Sequence, residues 1–325
     1  MTEKSKTENN PAGDRIAKVI ARAGLCSRRE AERWISEGRV SVNGDILDSP
    51  ACVVTDSDKI VVDGKTLPAA EKTRLFLYHK KTGLVTTAKD EFKRKTIYDD
   101  LPAGLPRLLT IGRLDLNTEG LLILTNDGGL KRYMELPKTG IKREYRVRVM
   151  GNVTADKLKK LKDGMEVEGI QYGSIEAQIE KGTAPKEQSG ANIWLVVSLK
   201  EGKNREIRRV MEALDLQVNR LIRTSYGTFH LGNMPKGSVL EIPFGRLKDH
   251  IPDYFKQAQE GGQQNANPKN THKSKVKAGA RAKPQEKYKK KHQSKNKNQN
   301  KNQNKPSAHS KSKAGNKKRP DNRGS

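Results

Sequence analysis

Apolar positions recur at helical spacing near the N-terminus, at Ile16, Val19, Ile20 and Leu25. They predict a short helix ending in the turn Gly24-Leu25-Cys26-Ser27. Ser27 stands three residues before Glu30, an N-cap with its capping-box acid, and predicts a second helix from Arg28 to Ser36. Ala31, Trp34 and Ile35 form its apolar side, and Gly38 stops it. Val40, Val42 and Ile46 alternate around Asn43-Gly44, which predicts a hairpin, and Lys59 to Val62 reads as a strand ending at Asp63-Gly64. These elements make a small module over residues 14–64. Residues 65–73 are polar, contain one Pro, and read as a flexible linker.

A second domain is expected over 74–256. Leu75-Phe76-Leu77-Tyr78 opens it as a strand, and His79 to Thr87 reads as the hairpin that follows. Leu108 to Ile111 and Leu121-Leu122-Ile123-Leu124 are short apolar runs bounded by Gly, which predicts strands buried on two faces. Asp127 to Leu136 reads as a helix. From Lys142 to Val149 polar and apolar residues alternate, placing Arg143, Tyr145, Val147 and Val149 on one face of a strand. Thr154 caps a helix to Lys162, Gly169 to Ile179 and Asn192 to Leu199 read as strands, and 182–190 as a loop between them. The helix after Gly202 buries Ile207, Val210, Met211 and Leu214. Many strands with irregularly placed helices predict an α+β fold with a mixed or antiparallel sheet.

Charge narrows the function. The 325-residue chain carries a formal +27, and from Gly261 onward twenty Lys and Arg face only Glu286 and Asp321, so about +18 sits in that tail and about +9 on the rest. A basic body with a more basic tail predicts a polyanionic partner. Residues 257–325 are rich in Lys, Asn and Gln and are expected to be disordered, as are residues 1–12. No apolar run could span a bilayer, and Met1 to Asn10 has no signal-peptide core. Cys26 and Cys52 form no disulfide framework, and neither they nor the six histidines have metal-ligand spacing. A reducing cytoplasm and no cofactor are expected.

The chemistry concentrates in Gly112-Arg113-Leu114-Asp115-Leu116-Asn117-Thr118-Glu119-Gly120, a loop between two buried strands. A carboxylate held by rigid elements suits catalysis; an Asp that merely starts a turn would read the same way.

This stretch, extended to Thr125-Asn126-Asp127-Gly128, resembles the catalytic motif of the RsuA/RluB family of ribosomal RNA pseudouridine synthases. The Arg143, Tyr145, Val147 series resembles a second family motif, with Arg143 in place of Lys, so the charge is kept and Lys-specific contacts are not. Leu199 to Arg209 resembles a third. His79 and Lys81 stand where the family often has Asn and Pro. The N-terminal module resembles the S4 RNA-binding domain, through Arg15-Ile16-Ala17-Lys18, Gly24, Ser27-Arg28-Arg29-Glu30-Ala31, Gly38 and Asn43-Gly44.

The resemblance implies the pseudouridine-synthase fold, a long central sheet crossed by a cleft. It implies that Asp115 is the catalytic carboxylate, that the Tyr145 ring stacks on the target base, and that Arg208 pairs with Asp115. Arg28, Arg29 and Arg33 would grip RNA from the S4-like module, and Arg113, Arg143, Asn204, Arg205 and Arg209 from the second domain. The implied reaction isomerises uridine to pseudouridine in ribosomal RNA, with rRNA or a pre-ribosomal subunit as partner, no membrane, no metal, and a monomer acting in the cytoplasm. Pro106-Arg107-Leu108-Leu109, Leu116-Asn117 and the tail look most like the branch that modifies large-subunit (23S) rRNA. A small-subunit (16S) rRNA enzyme and a non-catalytic ribosome-assembly factor are the alternatives.

Overall fold

The computed structural model describes residues 13–182 and 192–257. Residues 1–12, most of the expected 182–190 loop, and the basic tail from 258 onward lie outside the described residues.

The first helix, α1 (Ile16–Arg22), and the second, α2 (Arg28–Ser36), pack through Ile16, Ile20, Ala31 and Ile35, all fully buried. Ser27 caps α2 by accepting the Glu30 N–H at 3.1 Å. Only half of the capping box forms, because the Glu30 carboxylate turns to Arg33 instead. Strand Val40–Val42 pairs with Asp45–Ile46 across Asn43-Gly44, both at positive φ, as the hairpin signal requires. Ile60–Val62 pairs with Val40–Val42 and, through Asp63-Gly64, with Lys65–Thr66. The small sheet thus runs two residues into the segment expected to be linker.

That segment is tied down at its far end. The Asn126 amide donates to the Lys72 carbonyl and accepts from Arg74 N–H, and Thr73 Oγ1 donates to Asp127 at 2.5 Å. Arg22 of α1 lies 3.6 Å from the same Asp127 carboxylate.

Among the described residues, the second domain is built on a sheet of nine strands: β1 (Leu75–Lys80), β2 (Leu109–Ile111), β3 (Glu119–Thr125), β4 (Arg143–Met150), β5 (Glu176–Ile179), β6 (Asn192–Leu199), β7 (Gln217–Tyr226), β8 (Phe229–His230) and β9 (Val239–Ile242). The order is β5-β6-β4-β7-β3-β1-β9, with β2 paired to β3 and β8 to β7. Every pairing is antiparallel except β7 with β3, so the sheet is mixed, as expected. β1 and β3 are buried along their whole length, which is why their sequences do not alternate.

Two expectations about strands fail. The hairpin over His79 to Thr87 does not form: β3 and β9 occupy both edges of β1, so the chain leaves as a loop. The strand expected from Gly169 to Ile179 breaks at Gly173 to Ile175, where Gly173 N–H donates to Glu201 and Ile175 N–H to the Leu161 carbonyl.

Helix α3 (Gly128–Glu135) starts on Asp127, which accepts the Gly129 and Leu130 N–H groups. Helix α4 (Ala155–Asp163) is capped by Thr154, and α5 (Glu206–Glu212) follows the Gly202 turn. Helix α6 (Phe244–His250) follows β9, and residues 252–257 are helical again. One core lies between α5 and the β4, β6 and β7 strands; a second joins β1, β3 and α3. No helix among the described residues is long and apolar enough to cross a membrane.

Candidate active site

Asp115 sits in the loop that joins β2 to β3. Five groups fix that loop. Thr118 N–H donates to the Asp115 carbonyl at 3.0 Å, and Gly83 N–H to the Leu116 carbonyl at 2.9 Å. Thr86 Oγ1 donates to the Leu114 carbonyl and accepts the Leu114 N–H. Gly112 N–H donates to Glu135 of α3 at 2.6 Å. The fifth comes from below: Lys80, fully buried at the end of β1, donates from Nζ to the carbonyls of Lys81, Asp115 and Thr118 at 2.9, 3.1 and 3.0 Å, with Leu116 O at 3.5 Å.

A buried ammonium is costly unless partners replace its water. Burial pushes Lys80 down to about 8, against the opposing charges of Asp115 and Glu119. It therefore remains mostly protonated at neutral pH. Glu119 is itself 2% exposed. Burial raises its pKa, but Arg220 and Lys236 outweigh that and hold it below the ordinary carboxylate range.

The loop opens onto a cleft of about 830 Å³. Asp115, Arg113, Arg143, Tyr145, Asn204 and Arg205 all line it, so most of the expected residues converge. The Asp115 side chain is one-third exposed, and Arg205 Nη1 lies 3.9 Å from its Oδ2. Arg205 reaches it from a left-handed backbone conformation (φ 50°) just before α5. Tyr145 stands half-buried on β4 between Val197 and Arg223 of the neighbouring strands.

The pairing expected between Arg208 and Asp115 is replaced. Arg208 donates to the Asn117 carbonyl at 3.0 Å and to the Val218 carbonyl at 3.2 Å, so it ties the Asp115 loop to β7, and Arg205 takes the place nearest the carboxylate. Burial lowers the Arg208 pKa, the Arg205 charge adds to this, and Asp115 opposes it.

Other expected residues divide by what they touch. Arg143 spends its guanidinium on the carbonyls of Ile141, Lys200 and Glu201 and on the Tyr226 hydroxyl and ring, which is a wall-building role. Arg33 is neutralised between Glu30 of its own helix and Glu37, the residue that caps the helix C-terminus. Arg28, Arg29 and Arg33 are exposed, and Arg209 half-buried, away from the cleft.

Four residues were not anticipated. Lys80 is one. Arg223, 2% exposed, donates to the Leu121 carbonyl and faces the Tyr226 ring. Glu201 and Glu206 form the others, beneath the Gly202 to Arg205 turn. Glu206 accepts the Lys203 N–H at 2.8 Å. Burial first, and then Glu201 beside it, push Glu206 up to about 7. The signal for Lys80 was its place two residues after the apolar run Leu75 to Tyr78, within reach of the same buried strand; the carboxyl pair had none.

Among known proteins, the family described as RNA pseudouridylate synthase matches residues 74–213, and the S4 domain matches residues 14–60. An uncharacterized RNA pseudouridine synthase of Rickettsia felis is 46% identical over 228 residues, covering 70% of this chain and 96% of its own. The ribosomal large subunit pseudouridine synthase B of Yersinia pestis is 40% identical over 237 residues, covering 71% and 73%. A crystal structure of a pseudouridylate synthase superposes with a TM-score of 0.52 at 23% identity, over 73% of this chain and all of that one, a likeness of fold.

Proposed function

Because the chain belongs to the RNA pseudouridylate synthase family, we propose that it isomerises one uridine of large-subunit ribosomal RNA, with Asp115 as the catalytic carboxylate. The observation that carries this reading is the one-third-exposed Asp115 carboxylate, held on a pinned loop in a cleft with Tyr145 and Arg205. The large-subunit assignment draws on the name of the 40% identical Yersinia relative.

In the reaction the N1–C1′ bond of uridine breaks, the uracil turns, and C5 bonds to C1′. The C5 proton leaves and N1 gains one, so substrate and product are isomers. Asp115 acts at the sugar. Arg205, 3.9 Å from its Oδ2, sets a positive charge beside it. Tyr145 presents its ring to the flipped base and its hydroxyl to the C5 proton. Arg208 acts through the loop it ties down.

Residues 14–64 serve as the S4 module, 65–73 as its connection, 74–256 as the catalytic domain and 257–325 as a basic tail. Arg28 and Arg29 on α2, Arg113 and Asn204 in the cleft, and the tail grip backbone phosphates. The protein acts as a monomer in the cytoplasm on rRNA or an assembling subunit. Deleting residues 261–325 is expected to weaken RNA binding at low salt and to change it little at high salt. Carbodiimide mapping of pseudouridine in rRNA from a deletion strain tests the assignment: one large-subunit site should disappear. A lost small-subunit site would move the target, and no lost site would favour a non-catalytic assembly factor.

A further inference from the structure

The loop from Thr87 to Lys95 has no part in the chemistry above, yet it hangs from the rim of the cleft. Val85 and Thr86, at its base, line the cleft, and Thr86 is hydrogen-bonded both ways to Leu114. The loop is closed at its neck by Val85 N–H to the Lys95 carbonyl at 2.9 Å and Ile97 N–H to the Val85 carbonyl at 3.0 Å.

Its tip is a built turn. Asp90 accepts the Arg94 backbone N–H at 2.9 Å and both Arg94 Nε and Nη2, at 3.1 and 2.7 Å. Lys93 takes a left-handed conformation at φ 55°. The clamp pushes Phe92 outward, where it is 77% exposed, with the Arg94 guanidinium over its ring at 5.0 Å. The rest of the ring faces solvent. Lys89 and Lys93 beside it have no ion-pair partner among the described residues.

We propose that Phe92 is a stacking platform for an unpaired base of the substrate RNA near the target uridine, with Lys89, Lys93 and Arg94 on the adjoining phosphates. The proposal rests on the RNA-isomerase reading above. An aromatic ring backed by a guanidinium and rimmed by lysines suits a base with its backbone: the ring meets the base face, and the cations meet the phosphates. Arg94 is already fixed by Asp90, so little side-chain freedom remains to be lost on binding. Protein partners of basic surfaces are acidic, but they do not need an open ring face beside free lysines.

The test compares full-length wild type, Phe92→Ala, Phe92→Leu and Phe92→Trp on unmodified large-subunit rRNA transcribed in vitro. Phe92→Ala is expected to raise Kd and KM roughly ten-fold or more, the usual scale for losing one base–aromatic stack, with kcat and thermal stability unchanged. Phe92→Trp should restore binding and Phe92→Leu should not, since the effect needs a π-face. Equal KM for wild type and Phe92→Ala overturns the proposal, and so does rescue by Phe92→Leu. A defect seen on ribosomal particles but not on naked rRNA also overturns it, in favour of a protein contact. If wild type isomerises no uridine, the functional reading fails instead, which keeps the two failures distinct.

Discussion

The ammonium of Lys80 donates to the backbone carbonyl of Asp115 at 3.1 Å, from a position with no exposure to solvent. The carboxylate is thus aimed through its main chain, by a cation that substrate never meets. Lys80→Met keeps the stem and removes the donor, leaving the Asp115 and Thr118 carbonyls one partner short. Unsatisfied buried acceptors cost ~1–3 kcal/mol, so a lower urea midpoint is expected. Single-turnover rates should fall at least ten-fold with KM for RNA little changed. A variant with wild-type turnover would remove Lys80 from the account.

Arg205 and Arg208 separate by the same kind of experiment. Arg205 sits 3.9 Å from the Asp115 carboxylate and contributes charge. Arg208 bridges the carbonyls of Asn117 and Val218 and contributes a fork of donors. Lysine keeps charge but loses the fork. Arg205→Lys should therefore retain more kcat than Arg205→Ala, while Arg208→Lys should be nearly as impaired as Arg208→Ala and melt lower. The opposite ranking would return Arg208 to the carboxylate.

Glu206 gives a pH prediction. Burial and Glu201 raise it from 4.5 to about 7 in the folded protein. Between those values the folded state holds a proton that the unfolded state has released, so this group makes stability fall as pH rises from 4.5 to 7 and leaves it reduced above. Glu206→Gln cannot ionise. Its stability relative to wild type should grow over that window and level off beyond pH 7, measured by denaturant titration at each pH. A difference that does not vary with pH would show that Glu206 does not titrate in this range.

Asp127 joins three parts of the chain: it caps α3, accepts from Thr73 and Tyr254 hydroxyls, and lies 3.6 Å from Arg22 of the S4 module. Asp127→Ala should lower stability by at least the ~1 kcal/mol of a lost cap. It should also open residues 67–73 to limited proteolysis, and Arg22→Ala should do the second without most of the first. Unchanged cleavage in both variants would mean the linker is held by Asn126 alone.

The strands around Asp115 were legible because Gly112 and Gly120 bound apolar runs whose lengths fit strands, and the Ser27 and Thr154 caps because each precedes its helix directly. Convergence of Asp115, Tyr145 and Arg205 on one cleft followed from motif resemblance and was not visible in spacing. What the residues did not reveal depends on register and backbone state. A lysine at a strand end reads as solvated until β3 and β9 flank β1 and turn it inward. The exchange of Arg208 for Arg205 depends on the left-handed conformation of Arg205, which no neighbouring glycine or proline announces. Arg33 reads as an RNA contact by type, but two glutamates one turn away, Glu30 on α2 and Glu37 at its C-cap, claim its charge.

The proposed role of Asp115 is to isomerise one uridine in large-subunit rRNA. The direct measurement is pseudouridine mapping in a deletion strain complemented with wild type or with Asp115→Asn, together with RNA affinity of both proteins in vitro. One large-subunit site should be restored by wild type and not by Asp115→Asn, with the two proteins binding RNA nearly equally. Restoration of that site by Asp115→Asn would contradict the account.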